Sequence, residues 1–488
     1  MKKVLGLIAA LAAATFAGDY STWGFNRTVT VSTTGLGLSA DVASLPILVR
    51  FRAAQQGDML NAAGTQMLAD GADIRVTEID GITDVPFEID SASVGSGGAL
   101  FLWIYASNVL QNSSAAATFR VYWKKAGALT ASDPTAVFQG SSGYQAVFHF
   151  KSAAPLADAS SNAYSVITGN TTANLTAPLI GSARTFGTAT GNVDNVTTTS
   201  NVYAYFNAFS GPLGTNGAMP ALTLSAWTRS SLTSTGNRAG GEKHVVYHGT
   251  GQGNATGHAF LKRWGVPTNV TGGDTYPGAN RWLAGGDTTY ADSGTGVRGP
   301  YVGFGEAGAT IDNWVFVAAV WNGANWVTYR QRRWENWNAG VGGARATPTT
   351  RPNYFGASDT AVQFDTSTVA GAPVVENTKS WFIGGWQANG VGSAATVARR
   401  LWQGQLDEVR IENVARSYDY LRLRFLAERD TIGSVNNVLY TIGSPVTAIG
   451  GRAVRLGSLA SKVTSQGVTF RLSEATPGTL TILDLFGR

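Results

Sequence analysis

Between Ala99 and Tyr105 the chain offers an extended strand no polar face. Leu100, Leu102 and Ile104 alternate with Phe101, Trp103 and Tyr105. Successive side chains of a strand point to opposite sides, so a segment apolar on both sides belongs in the centre of a sheet that is covered above and below. Other segments show the half-buried pattern. In Thr118 to Lys125, Phe119, Val121 and Trp123 fall on one face and Arg120, Tyr122 and Lys124 on the other. Leu45 to Phe51 reads as a further strand, and Asp70-Gly71 and Asp80-Gly81 punctuate as turns. Later strands are expected at Ala146 to Phe150, Leu222 to Thr228, Trp314 to Trp321, Trp326 to Arg330, Trp381 to Gly385 and Leu401 to Glu412. The expected fold class is all-β.

Composition narrows the setting. Charged residues make up 14% of the 488, against about 25% in an ordinary soluble protein. The difference is filled by small polar residues and 60 glycines, while 10% aromatics argue against disorder. The 36 Lys and Arg against 31 Asp and Glu form no block beyond Arg332-Arg333 and Arg399-Arg400, which excludes a nucleic-acid footprint. Without cysteine there is no disulfide, no thiol chemistry and no thiolate metal site. Stability then rests on packed cores or on a bound ion. Lys2-Lys3, the apolar run Val4 to Ala14 and Thr15-Phe16-Ala17-Gly18 have the layout of a secretory leader cleaved after Ala17. No later run is long enough to be a transmembrane helix, so the mature protein is expected outside the cytoplasm, secreted or at the cell surface or outer membrane.

The order of motifs carries two resemblances. Trp23 and Arg27 open the first region, followed by Leu45 to Phe51, Gly71-Ala72-Asp73-Ile74-Arg75-Val76, Val85-Pro86-Phe87-Glu88-Ile89, Leu102-Trp103-Ile104 and Phe119-Arg120-Val121-Tyr122-Trp123. This order resembles the bacterial domain of unknown function 2341, with Lys124 standing where that family has glycine. The family has no assigned chemistry. In the second region, Leu224-Ser225-Ala226-Trp227, Trp314-Val315-Phe316-Val317-Ala318 with Trp321-Asn322-Gly323, and Gly404 to Ile411 resemble the concanavalin A-like, laminin-G-type (LamG) jelly roll. Ser417 is placed to cap a short helix presenting Tyr418, Leu421 and Phe425 on one face. The end, Leu480 to Arg488, resembles one strand of C-terminal surface-sorting domains, which normally continue past the Gly-Arg. The implied organisation is a leader over 1–17, a β-sandwich over 18–140, a jelly roll over 141–430 with extended loops at 229–310, and a C-terminal sorting or accessory β domain over 434–488.

Candidate chemistry is sparse. Glycoside hydrolysis needs two carboxylates across the sugar bond. Glu88-Ile89-Asp90 imitates half of a Glu-x-Asp-x-x-Glu strand but lacks the second glutamate. Four histidines come with no Gly-x-Ser-x-Gly elbow, and His244 and His248 lie on a strand pattern rather than the helix a zinc pair would use. Asp407, by alternation, shares a face with Val409 and Ile411. If that face is core, its carboxylate needs either backbone N–H groups or a cation. One structural calcium, which takes oxygen ligands, is therefore a candidate, with Asp158 in a loop that resembles the jelly-roll family's early Asp loop as a second ligand. Sugar faces stack on exposed rings. Trp334, Trp337 and Asn338, and Arg281 with Trp282, have the composition for that, although packing beneath a long loop is the competing reading. These observations lead to a non-catalytic binding or adhesion protein with carbohydrate as first ligand. The alternatives are a structural or protein-interaction component of a surface assembly, and a glycoside hydrolase with an unrecognised site.

Overall fold

A computed structural model describes residues 19–151, 156–168, 172–174, 179–186, 204–208, 210–230, 243–249, 259–265, 280–286, 301–303, 314–332, 363–366, 372–377, 379–387, 398–399, 402, 404–429, 439–447, 460–464 and 467–471. The leader over 1–17 lies outside them. The described chain is all-β, in several antiparallel sheets with few helical residues. No helix among the described residues is long and apolar enough to cross a membrane.

The first unit uses β1 (Phe25–Val31), β2 (Val42–Arg52), the short α1 (Gly57–Leu60), β3 (Arg75–Glu78), β4 (Phe87–Ala92), β5 (Ala99–Val109), β6 (Ala117–Trp123) and α2 (Pro134–Val137). One sheet orders β1, β6 and β3; the other orders β2, β5 and β4. The doubly apolar β5 is the central strand of its sheet, as its pattern demands. Leu100, Leu102 and Ile104 join Ile47, Val49, Val29 and Phe119 in one core cluster. Trp103 sits in the cross-strand row Leu48–Trp103–Glu88, and this row faces the second unit. The position after β6 is occupied by Lys124 at φ +67, a conformation that glycine adopts without steric cost. Asp73 holds it there, accepting from the Lys124 and Lys125 N–H groups at 2.8 and 3.2 Å.

The second unit runs through β7 (Tyr144–Phe148), β8 (Val166–Thr168), β9 (Thr172–Asn174), β10 (Ala183–Phe186), β11 (Ala204–Asn207), β12 (Gly217–Ala218), β13 (Leu222–Ser230), β14 (Lys243–His248), β15 (Ala259–Gly265), β16 (Asn280–Gly286), β17 (Tyr301–Gly303), β18 (Val315–Trp321), β19 (Trp326–Arg332), β20 (Gln363–Thr366), β21 (Val374–Val375), β22 (Ser380–Ile383), β23 (Trp386–Gln387), β24 (Ala398–Arg399) and β25 (Gly404–Glu412). An eight-stranded sheet orders β20-β19-β18-β13-β25-β10-β9, with β7 also on β25. A seven-stranded sheet orders β17-β16-β15-β14-β22-β11-β8. Phe148, Leu224, Val317, Trp381, Val409 and Ile411 belong to the core between them. The stretch 229–310, expected as extended loops, instead supplies β14 to β17, more than half of the seven-stranded sheet. Its glycines and asparagines hide the alternation that would reveal strands.

After β25, Ser417 caps α3 (Tyr418–Glu428), its side chain accepting from the Tyr420 N–H. This helix is buried on nearly every side. Leu421 and Phe425 share a core with Trp227 and Phe316 of the eight-stranded sheet and with the first unit. Arg50 of β2 donates to the carbonyls of Ala427 and Glu428 at its end. Then β26 (Tyr440–Ile442) and β27 (Val446–Thr447) pair antiparallel with β1, so the start of the 434–488 stretch completes the first unit's sheet. A hairpin of β28 (Ala460–Thr464) and β29 (Gly467–Arg471) follows.

Candidate functional site

The concentration of chemistry lies at the seam between the two units. β4 contributes Glu88 and Asp90; the pairing with β5 slips between Ile89 and Ser91, so Asp90 is an extra, bulged residue. The end of β7 leads into His149 and Lys151. β25 contributes Asp407, Glu408 and Arg410, and α3 contributes Arg424 and Glu428. β25 is itself bulged. Its register against β13 slips between Ser225 and Trp227, and Glu408 takes φ +51. This corrects the simple alternation: Leu406, Val409 and Ile411 face the core between the sheets, while Asp407 is turned with Glu408 toward the seam. The inserted residue changes the parity of the strand, which a pattern of period two cannot reveal.

His149 lies between two carboxylates. Its Nδ1 donates to Glu408 Oε1 at 2.5 Å and its Nε2 is 3.1 Å from Glu88 Oε2. Trp103 stacks on the ring at 5.5 Å. Burial alone would depress His149, but Glu408 and Glu88 outweigh it and hold it up at about 10. Burial opposes ionisation of Glu408 too, yet His149 and Arg410 bring it down to about 2. Arg410 Nη2 bridges Glu408 and Glu428, each at 2.9 Å, with its guanidinium over the Trp103 and Phe138 rings. Arg424 Nε and Trp227 Nε1 complete Glu428, both at 2.6 Å. Lys151 donates to Glu88.

Two carboxylates fare differently. Asp90 has a wholly buried side chain, and the Lys151 Nζ stands 3.8 Å from its Oδ1. Among the described residues neither of its oxygens has a hydrogen-bond partner. Burial pushes it up to about 6, against the pull of Lys151 and His149. Asp407 accepts from the Ile180 N–H through Oδ2 at 3.0 Å, but its Oδ1 has no partner. Burial, then Glu408 and Asp90, raise it well above the carboxylate range. Asp90, His149 and Glu408 each offer a ligand atom within 4.8 Å of the others.

The expected calcium pair is not brought together. Asp158 is consumed by its own loop, accepting from the N–H groups of Val147, Ser160 and Tyr164 at 2.9 to 3.0 Å and from the Ser160 hydroxyl. Asp407 belongs to the seam and shares none of these partners. Glu88 and Asp90, the glycosidase half-motif, are sealed inside the protein, with side chains 3% and 0% exposed. His248 is a packing residue: it stacks on Trp381 at 4.5 Å, and its Nε2 accepts from the Glu376 N–H at 3.0 Å. Trp334, Trp337 and Asn338 lie outside the described residues. Arg281 and Trp282 lie on β16, where their backbones pair with Trp264 and Arg263; their side chains lie outside the described part. His149, Glu408 and Arg410 went unnoticed in the sequence. The available signal was three charges within Asp407-Glu408-Val409-Arg410 on a strand otherwise built for a core.

A second feature is an aromatic row on the seven-stranded sheet. Tyr205, Phe382 and Tyr247 are direct cross-strand neighbours, with ring centroids 5.8 and 6.5 Å apart. They alternate with Phe206, Trp381 and His248, of which Phe206 and Trp381 belong to the core cluster, and so occupy the opposite face. Tyr205 is partly exposed, while Tyr247 and Phe382 are nearly buried.

No family description matches the sequence, and no curated protein matches it. Solved structures similar to the chain include a botulinum neurotoxin type C structure, described as depending for cell entry on two ganglioside molecules (10% identity, 59% of this chain, 52% of that one, TM-score 0.35). Others are the binding domain of botulinum neurotoxin DC in complex with SialylT (8%, 59%, 52%, 0.34) and the botulinum neurotoxin type G receptor binding domain (6%, 58%, 51%, 0.32). The chain spans about half the length of these structures.

Proposed function

We propose that the protein is a non-catalytic binding or adhesion protein acting outside the cytoplasm, with a carbohydrate as its ligand. The observation that carries this reading is the aromatic row Tyr205–Phe382–Tyr247 on the face of the seven-stranded sheet that points away from its core. The outer face of an antiparallel sheet in contact with water is normally polar. Tyr205, partly exposed, is the ring of the row open to the flat apolar face of a sugar, with the buried Phe382 and Tyr247 packed in line beside it. The Glu88-Ile89-Asp90 half-motif that imitates a glycosidase strand is buried at the seam, which supports binding without hydrolysis.

The test is retention of the full mature chain on a panel of soluble and insoluble polysaccharides, beside Tyr205→Ala and the Trp334→Ala, Trp337→Ala double variant. Saturable binding weakened by Tyr205→Ala is expected. Release of reducing sugar would overturn the non-catalytic reading. Absence of binding to every glycan would direct the same face to a protein partner in a surface assembly.

A further inference from the structure

We propose that Asp90, Glu408 and His149 hold one divalent metal ion of the manganese or zinc class at the seam between the two units, beside Asp407. The three side chains come from β4, the segment after β7 and β25, and present their ligand atoms within 4.8 Å of one another in a fully buried setting. Asp90 supplies the independent observation. A buried carboxylate with no hydrogen bond to either oxygen carries a desolvation cost that Lys151, 3.8 Å from Asp90 Oδ1, offsets only in part, and among the described residues neither Asp90 oxygen nor Asp407 Oδ1 has a hydrogen-bond partner.

The charges of the seam point the same way. Glu88, Asp90, Asp407, Glu408 and Glu428 supply five carboxylates, against the permanently charged Lys151, Arg410 and Arg424. Glu88 is matched by Lys151, Glu408 by Arg410 and Glu428 by Arg424. Asp90 and Asp407 are the two carboxylates that no side-chain cation reaches at hydrogen-bonding distance, Lys151 standing 3.8 Å from Asp90 Oδ1. The histidine is also arranged for the task. Its Nδ1, which donates to Glu408, would release that proton and hydrogen bond on binding the ion, while Nε2 keeps its N–H toward Glu88, as a ligating histidine characteristically gives its second N–H to a carboxylate. The Leu179–Gly181 segment closes the other side. Ile180 donates its N–H to Asp407, and Gly181, at φ +46, approaches so closely that a Cβ there would lie 1.7 Å from Asp90 Oδ2.

An imidazole nitrogen among carboxylate oxygens selects manganese or zinc over calcium, which takes oxygen ligands. The ion would join strands of both units, a cross-link that a chain without cysteine has no disulfide to provide. This inference is independent of the carbohydrate reading.

The experiment uses the full mature chain, purified without affinity histidines or chelator. Metal content is measured by plasma mass spectrometry, and Tm is followed after dialysis against EDTA and after adding back Mn²⁺, Zn²⁺ or Ca²⁺ alone. The expected result is one equivalent of manganese or zinc, a fall in Tm on its removal, and recovery with Mn²⁺ or Zn²⁺ but not Ca²⁺. Asp90→Asn should lose the ion and the Tm response, while Asp158→Asn keeps both. Cobalt substitution provides a second readout, with visible d–d bands in the parent chain that His149→Gln shifts or abolishes. A folded parent with no bound metal and no Tm response to Mn²⁺ or Zn²⁺ overturns the proposal. Retention of the ion in both Asp90→Asn and His149→Gln does so equally.

Discussion

Phe425→Ala tests whether α3 is the common support of both units. The ring is fully buried. It stacks on Trp227 at 5.6 Å and meets Phe316 at 6.1 Å, with the Arg429 guanidinium over it at 5.5 Å. Deleting a buried phenyl group costs about 3–5 kcal/mol through lost transfer energy and residual cavity. Each aromatic contact adds about 0.5–1.5 kcal/mol beyond area, which favours the upper half of that range. A domain has only about 5–15 kcal/mol in hand, so the variant should sit near the edge of stability. Because the helix also binds Arg50 of the first unit, both units should weaken together. Urea unfolding followed by tryptophan fluorescence and by circular dichroism is the assay, with Phe425→Leu as the mild control at about 1.5 kcal/mol or less. A loss below about 2 kcal/mol, or a destabilised second unit beside an unchanged first, refutes the reasoning.

Other perturbations probe separate features. Arg410→Met removes the guanidinium shared by Glu408 and Glu428, leaving His149 on the first and Arg424 with Trp227 on the second, and should cost up to about 3–5 kcal/mol in the same urea assay; a neutral outcome would mean the pairs are interchangeable with apolar packing. Gly181→Ala drives a Cβ into Asp90 Oδ2 and should lower Tm measurably in calorimetry, whereas Gly35→Ala, with open space around it, should lose only the cost of its positive φ. Lys124→Val places a β-branched residue at φ +67 and should lose about 1–2 kcal/mol, while Lys124→Gly should be neutral or slightly stabilising. Ending the chain after Arg429 removes β26 and β27 from β1, and hydrogen exchange should then accelerate at Val29 to Val31.

Much of the framework could be read from the chain because local pattern and local structure agree there. The doubly apolar Ala99 to Tyr105 lies in the central strand β5, Thr118 to Lys125 overlaps β6, and Ser417 caps α3 through its own hydroxyl. Period-two reasoning failed at Asp407, where one bulged residue reversed the face, and in 229–310, where β16 reads Asn-Arg-Trp-Leu-Ala-Gly-Gly. The seam was out of reach for another reason. His149 meets Glu88 and Glu408 across 61 and 259 positions of chain, and no local rule relates residues so far apart. Glu88-Ile89-Asp90 and Asp407 stood out separately, the first suggesting a different chemistry and the second a calcium shared with Asp158, and nothing local joined them.

The return of β26 and β27 to β1 gives the molecule an order of completion. Val29 finds its partner Ile442 only after more than four hundred intervening residues have passed. While the chain is being made, the first sheet therefore waits with an open edge, an aggregation hazard that lasts until the second unit has been produced. In the finished molecule the two pairing segments bracket everything between them. A pull on the chain beyond either segment would load β1 against its late partners before it reached the second unit, so β26 and β27 would act as its mechanical latch.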